Sequence, residues 1–138
     1  MKNYNVVVVF NKELNKVLMC KRTKEPYKDM FNLVGGKIEK ENDGLNEAYR
    51  ELFEETNITS KDISLTHFMN IEYITFNKKL EVYYGILNKE VRLIEEVNSL
   101  EWLDMDDNFF NMNKYAGEGN IGHIIEEIKI NLLRDNKD

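Results

Sequence analysis

Three glutamates and an arginine crowd into the six residues Arg50-Glu51-Leu52-Phe53-Glu54-Glu55. On a helix, residues three and four apart share a face, so Glu51, Glu54 and Glu55 would stand side by side, with Glu47 one turn earlier. Carboxylates that close repel one another unless a positive charge sits among them. They are hard oxygen donors of the kind Mg²⁺ takes, and Mg²⁺ sites are usually completed by water and substrate phosphates. The expected chemistry is metal-assisted attack on a phosphate group. Just upstream, Gly35-Gly36 supplies a turn where backbone can approach an ion with no Cβ in the way. An arbitrary acidic helix is usually a solvated face laced with ion pairs, and Arg50 to Glu54 is an ordinary pair of that type. The ordered succession of Gly-Gly, Arg and Glu-Glu is what favours a metal site.

This stretch resembles the signature of the Nudix hydrolases, or MutT-like family, G-x5-E-x7-R-E-U-x-E-E-x-G-U with U aliphatic. Gly36, Arg50, Glu51, Leu52, Glu54, Glu55 and Ile58 fall at the required spacings. Two positions depart. Asn57 replaces the last glycine, and asparagine is the next best residue for a left-handed helix end. Asn42 replaces the first glutamate, which in the family helps to lock the loop and the arginine. Glu39 or Glu41 would then partner Arg50, or that bond would be lost.

The resemblance implies an α/β Nudix fold, a mixed curved β-sheet sandwiched between α-helices. It implies metal ligation by Glu51, Glu54, Glu55 and the Gly35 carbonyl, with Mg²⁺ as cofactor and Mn²⁺ as a substitute. Arg50 would orient a glutamate. The general base is either Glu54 or a glutamate of a later loop, Glu96, with Glu95 its close competitor. Arg22 follows the second strand, where relatives place a basic residue over the substrate phosphates, and a guanidinium suits that contact. Lys37, just after the glycines, is another phosphate candidate. Asn120 opens the last helix, where MutT-like enzymes use an asparagine to read a purine edge; a plain N-cap is the competing role.

The implied reaction is cleavage of the diphosphate linkage of a nucleoside diphosphate derivative. The first-choice substrate is a nucleoside or deoxynucleoside triphosphate, an oxidised purine included, giving the monophosphate and pyrophosphate. Nucleotide sugars, ADP-ribose and dinucleoside polyphosphates remain open, as does a non-catalytic nucleotide-sensing domain, which three adjacent metal ligands disfavour. A dedicated calcium site would carry an Asp-rich loop, and none is present.

Composition fits. The 138 residues are expected to form one domain. The net charge of −6 opposes binding to extended nucleic acid, which needs clustered Lys and Arg. The partner expected is a small nucleotide; a homodimer is left open. Cys20 is the sole cysteine, so no intrachain disulfide forms, and its apolar strand suggests core packing. The apolar run Val6–Phe10 is too short for a signal peptide or a membrane span, so the expected location is the cytoplasm.

The elements that must position these residues can be read from periodicity. Residues 3–10 and 17–21 read as strands of a hairpin, and Phe31–Val34 as a short strand ending at the glycines. A helix begins near Asn42-Asp43, with an apolar stripe of Leu45, Ala48, Tyr49, Leu52 and Phe53 and then Ile58. Strands are expected over 67–76 and 80–87 around Asn77-Lys78-Lys79, and over 100–103. Asp104–Asp107 should open a short helical turn. Gly117-Glu118-Gly119 forms a loop, and a helix over 121–133 buries Ile121, Ile124, Ile125, Ile128 and Leu132. The tail from Arg134 should fray. Trp102 and Phe31 read as core; His67 and His123 carry no motif.

Overall fold

The computed structural model describes residues 1–39, 43–95 and 98–135. Its centre is β1 (Lys2–Phe10), a β-branched run with Val7, Val8, Val9 and Phe10 wholly buried. Such a run buried on both faces is what an interior strand requires. β2 (Lys16–Lys21) returns from it, and β3 (Phe31–Asn32) and β4 (Val34–Lys37) follow. After helix α1 (Gly44–Thr56) come β5 (Thr66–Tyr73), β6 (Lys78–Ile86), β7 (Leu100–Asp104) and helix α2 (Asn120–Asp135).

The strands form one mixed sheet, ordered β3-β2-β1-β6-β5. β1 and β6 run parallel, from Lys2 opposite Lys78 to Phe10 opposite Ile86. Along its other edge β1 pairs antiparallel with β4 in its first half and with β2 at its end, while β7 adds to β2. Side chains alternate across the sheet. Val7, Val9, Leu18 and Val34 pack beneath α1 with Ala48, Leu52 and Ile58. Val8, Phe10, Val17 and Met19 pack beneath α2 with Ile121, Ile124, Ile125 and Ile128. The expected helix–sheet–helix arrangement and the core face of α2 are both present, with Leu132 partly buried at its end.

Several local expectations are corrected. The strand expected over 31–34 is two: β3 pairs β2, β4 pairs β1, and Gly35-Gly36 lies inside β4 instead of ending a strand. The break falls at Leu33, whose N–H is taken by the Asn32 side chain at 2.9 Å. The turn between β5 and β6 is tighter than expected. A 3₁₀ turn spans Ile74–Phe76, Asn77 takes a left-handed φ of 50°, and Lys78 and Lys79 already belong to β6. Asp107 closes a hydrogen-bonded turn on Asp104, not a helical segment. Arg134 and Asp135 continue α2 instead of fraying.

The stripe of α1 is narrower than its sequence suggests. Ala48 and Leu52 are fully buried, but Leu45 is 44 % and Phe53 49 % exposed. Phe53 follows Leu52 directly, about 100° further around the helix, which turns it off the sheet. Asp43 stands at the N-cap, yet its carboxylate accepts the Asn46 side chain at 2.9 Å and caps no backbone N–H. The other end behaves as Asn57 implies: φ is 69°, and its N–H closes on the Phe53 carbonyl at 2.9 Å. Among the described residues no helix is long and apolar enough to cross a membrane.

Candidate active site

α1 lies over β4, and this packing brings the glycines to the acidic helix. The Gly35 N–H reaches the Glu55 carboxylate at 3.3 Å. A Cβ on Gly36 would fall 2.8 Å from the Glu51 carboxylate carbon. On Gly35 it would fall 2.1 Å from the Asn5 carbonyl oxygen. Neither glycine can carry a side chain without something moving. Glu51 and Glu55 therefore meet the glycine pair that the sequence placed beside them, here within β4.

Arg50 occupies the centre of the acidic face. Nε donates to Glu47 at 3.0 Å, Nη2 to Glu51 at 3.0 Å, and Nη1 to both Glu54 oxygens at 3.0 Å. Its hydrogen bonds to Glu47 and Glu54 hold its pKa above the usual arginine value. Among the described residues Glu39 is not a partner of Arg50; Glu47, one turn back and only 7 % exposed in its side chain, is. Glu41 and Asn42 lie outside the described residues.

The carboxylates differ. Burial pushes the Glu55 carboxyl up to about 7; the Gly35 N–H opposes this, and Glu51 and Glu54 add to it. Burial likewise raises Glu51, against the pull of Arg50. Glu54, 55 % exposed, is turned toward Arg50. Among the described residues no three acidic, His or Cys side chains converge on one point. The donor set still suits a hard divalent cation: it is all oxygen and carries excess negative charge. A cation beside Glu55 would relieve both burial and like-charge repulsion.

A cleft of about 550 Å³ opens on the α2 face. Arg22 and Asn120 both line it, as do Leu33, two residues before Gly35, and Val6, the strand partner of Gly35. Arg22 is held by a bond from Nε to the Pro26 carbonyl at 2.8 Å. Asn120 donates to the Tyr73 hydroxyl at 2.6 Å, so its amide is engaged across the cleft. Lys37 is exposed at the end of β4 and lies outside this lining. Glu96 lies outside the described residues, and its neighbour Glu95 accepts the Leu100 N–H at 2.6 Å.

Sequence reasoning missed Tyr27, Tyr73 and Lys78 among the lining residues, whereas Glu118 lies in the Gly117–Gly119 loop that the sequence marked. Lys78 sits over Tyr4 at 4.7 Å and Tyr73 at 5.9 Å. Tyr27 donates to Glu118 at 3.2 Å, bridging loops 91 positions apart. No local pattern encodes such a meeting. Cys20 is buried against the Asn32 carbonyl, and burial raises its thiol to about 11, so it is inert core. Trp102 and Phe31 are only partly buried at the core margins. His123 is exposed, and His67 bonds Asn70 at 2.7 Å.

The sequence matches the NUDIX domain model over residues 1–124. No curated protein matches it. Among solved structures, an Ap4A hydrolase from C. elegans shares 18 % identity, with a TM-score of 0.76 over 96 % of this chain and 98 % of that one. The NUDIX domain of Shewanella oneidensis NrtR, solved with ADP ribose, shares 16 %, with a TM-score of 0.74 over 94 % and 87 %. A MutT/nudix family protein from Enterococcus faecalis shares 19 %, with a TM-score of 0.61 over 75 % of this chain; the chain spans 43 % of that protein's length. At these identities the likeness is one of fold. With the family model extending over residues 1–124 and the acidic helix folded against Gly35-Gly36, the chain belongs to the NUDIX domain family, hydrolases of phosphorus anhydrides.

Proposed function

We propose that this chain, as a single domain, is a Mg²⁺-dependent pyrophosphohydrolase of a nucleoside diphosphate derivative. The favoured substrate is a nucleoside or deoxynucleoside triphosphate, cleaved to the monophosphate and pyrophosphate. The observation that carries this reading is the meeting of Glu51 and Glu55 with Gly35-Gly36, on a sheet whose α2 face carries the cleft lined by Arg22 and Asn120.

The family generally uses divalent metals. Glu51, Glu54, Glu55 and the Gly35 carbonyl would hold Mg²⁺, with Mn²⁺ able to replace it. A cation held there would supply positive charge against the phosphate oxygens that otherwise repel a nucleophile. Arg50 keeps the glutamates separated and aimed. Glu54, the most exposed of them, is the candidate to take a proton from water, with Glu96 as the alternative base. Arg22 and Lys37 carry charge complementary to phosphates. Asn120 offers an amide to a base edge.

A second reading, cleavage of ADP-ribose, nucleotide sugars or dinucleoside polyphosphates, is favoured by the exposed Phe76 in the cleft lining, an aromatic face on which a second base could stack. A Mg²⁺-dependent hydrolysis screen over canonical and 8-oxo nucleoside triphosphates, ADP-ribose, nucleotide sugars and dinucleoside polyphosphates separates the two. Fast release of pyrophosphate from a triphosphate supports the first. Preference for a two-headed substrate supports the second. No turnover on any class, with nucleotide binding retained, would leave a sensing domain.

A further inference from the structure

Asn5 is 2 % exposed in a strand whose other buried residues are Val7, Val8, Val9 and Phe10. A buried amide in an apolar run is unfavourable unless its hydrogen bonds are met, and valine would fit the pattern better. Only half of the amide is satisfied. Oδ1 accepts the Gly36 N–H at 3.1 Å, so a side chain takes a donor that strand pairing would give to a backbone carbonyl. Nδ2 finds no partner among the described residues.

The neighbours of Asn5 give that arrangement a purpose. It stands opposite Gly36 in β4 on one side and Glu81 in β6 on the other. Its own carbonyl oxygen fills the space a Cβ on Gly35 would need. Gly36 in turn abuts the Glu51 carboxylate, and the Gly35 N–H reaches Glu55. Asn5 therefore grips both glycines, one through its main chain and one through its side chain, on the strand opposite the glutamates.

We propose that Asn5 is a positioning residue. It fixes Gly35-Gly36 against Glu51 and Glu55, and so sets how tightly that group of oxygens holds a divalent cation. This rests on the metal-dependent reading above. Groups that orient metal ligands from behind typically change affinity by about ten- to a hundredfold when removed.

The test uses Mn²⁺ as the probe, with affinity read by electron paramagnetic resonance, and amide exchange at Gly36 read by NMR. Asn5→Val removes the acceptor, and Asn5→Ser, too short to reach Gly36, is a second removal should the valine variant fail to fold. Asn5→Asp keeps an Oδ1 acceptor. Val and Ser should weaken Mn²⁺ binding about tenfold or more and speed Gly36 exchange, while Asp stays nearer the parent in both. Folded Val and Ser variants with unchanged affinity or unchanged Gly36 exchange would overturn the proposal and leave the hydrolase reading standing. A parent protein that binds no Mn²⁺ would remove the metal-dependent reading, and this inference with it.

Discussion

Arg50 holds Glu47 through two donors, Nε and Nη2, both on the same carboxylate oxygen. Glu47 is 7 % exposed in its side chain, so this is its protection against burial as a bare charge. Arg50→Met should cost on the order of 2 to 3 kcal/mol, at or below the range for breaking a fully buried pair, because Arg50 itself is 36 % exposed. Urea denaturation measures it. Adding Glu47→Gln should restore much of the loss; a purely additive double variant would show that the two residues do not depend on each other.

Glu54→Gln should lower turnover by at least about a hundredfold, the usual span for a positioned acid or base. Its midpoint of thermal unfolding should hold, since Glu54 is 55 % exposed and an exposed ion pair contributes little. Steady-state kinetics with a thermal melt on the same sample decide it. Near-parental turnover would strike Glu54 from the catalytic set and leave Glu96 as the base.

Asn120→Ala should act on binding. Losing one engaged amide in the cleft should raise KM roughly tenfold, equivalent to about 1.4 kcal/mol, with kcat little changed. Tyr73→Phe removes only the hydroxyl that Asn120 donates to and should move KM in the same direction by less. Equal losses in kcat for both variants would place Asn120 in the chemical step instead.

Stability should fall at alkaline pH. The Cys20 thiol is raised from 9.0 to about 11 by burial. The unfolded chain therefore releases that proton first, so the contribution is complete below pH 9 and is lost as pH rises toward 11. Burial and adjacent carboxylates also raise Tyr83 and Tyr115, which extends the decline upward. Urea midpoints between pH 8 and pH 11 should drop for the parent and drop less for Cys20→Ala. Parallel curves would exclude Cys20 as a source.

What was legible in the sequence had local causes. The β-branched run of β1, the isoleucine spacing of α2 and the Asn57 helix stop each follow from residues within a few positions. The acidic face was legible because motif and helix period coincide. The exposure of Phe53 was not, because an apolar residue directly after Leu52 reads as part of the stripe although the helix turns it about 100° away. Nor was the Tyr27–Glu118 bridge, which joins two loops far apart in sequence. Asn5 did leave a trace, a polar residue in a valine run, but its partner Gly36 became visible only when β4 paired with β1.

The parallel pairing of β1 with β6 also governs how the chain meets the ribosome. Val6 to Phe10 leaves the exit tunnel ahead of its partners on one edge, Val82 to Ile86, which are made more than seventy residues later. Until then the most apolar strand of the protein has one open edge and no α2 to cover its second face. That interval is a window for aggregation, lengthened by slow translation before residue 86. The same Asn5 that grips the glycines lies at the head of this run, where a polar side chain also interrupts an otherwise sticky segment.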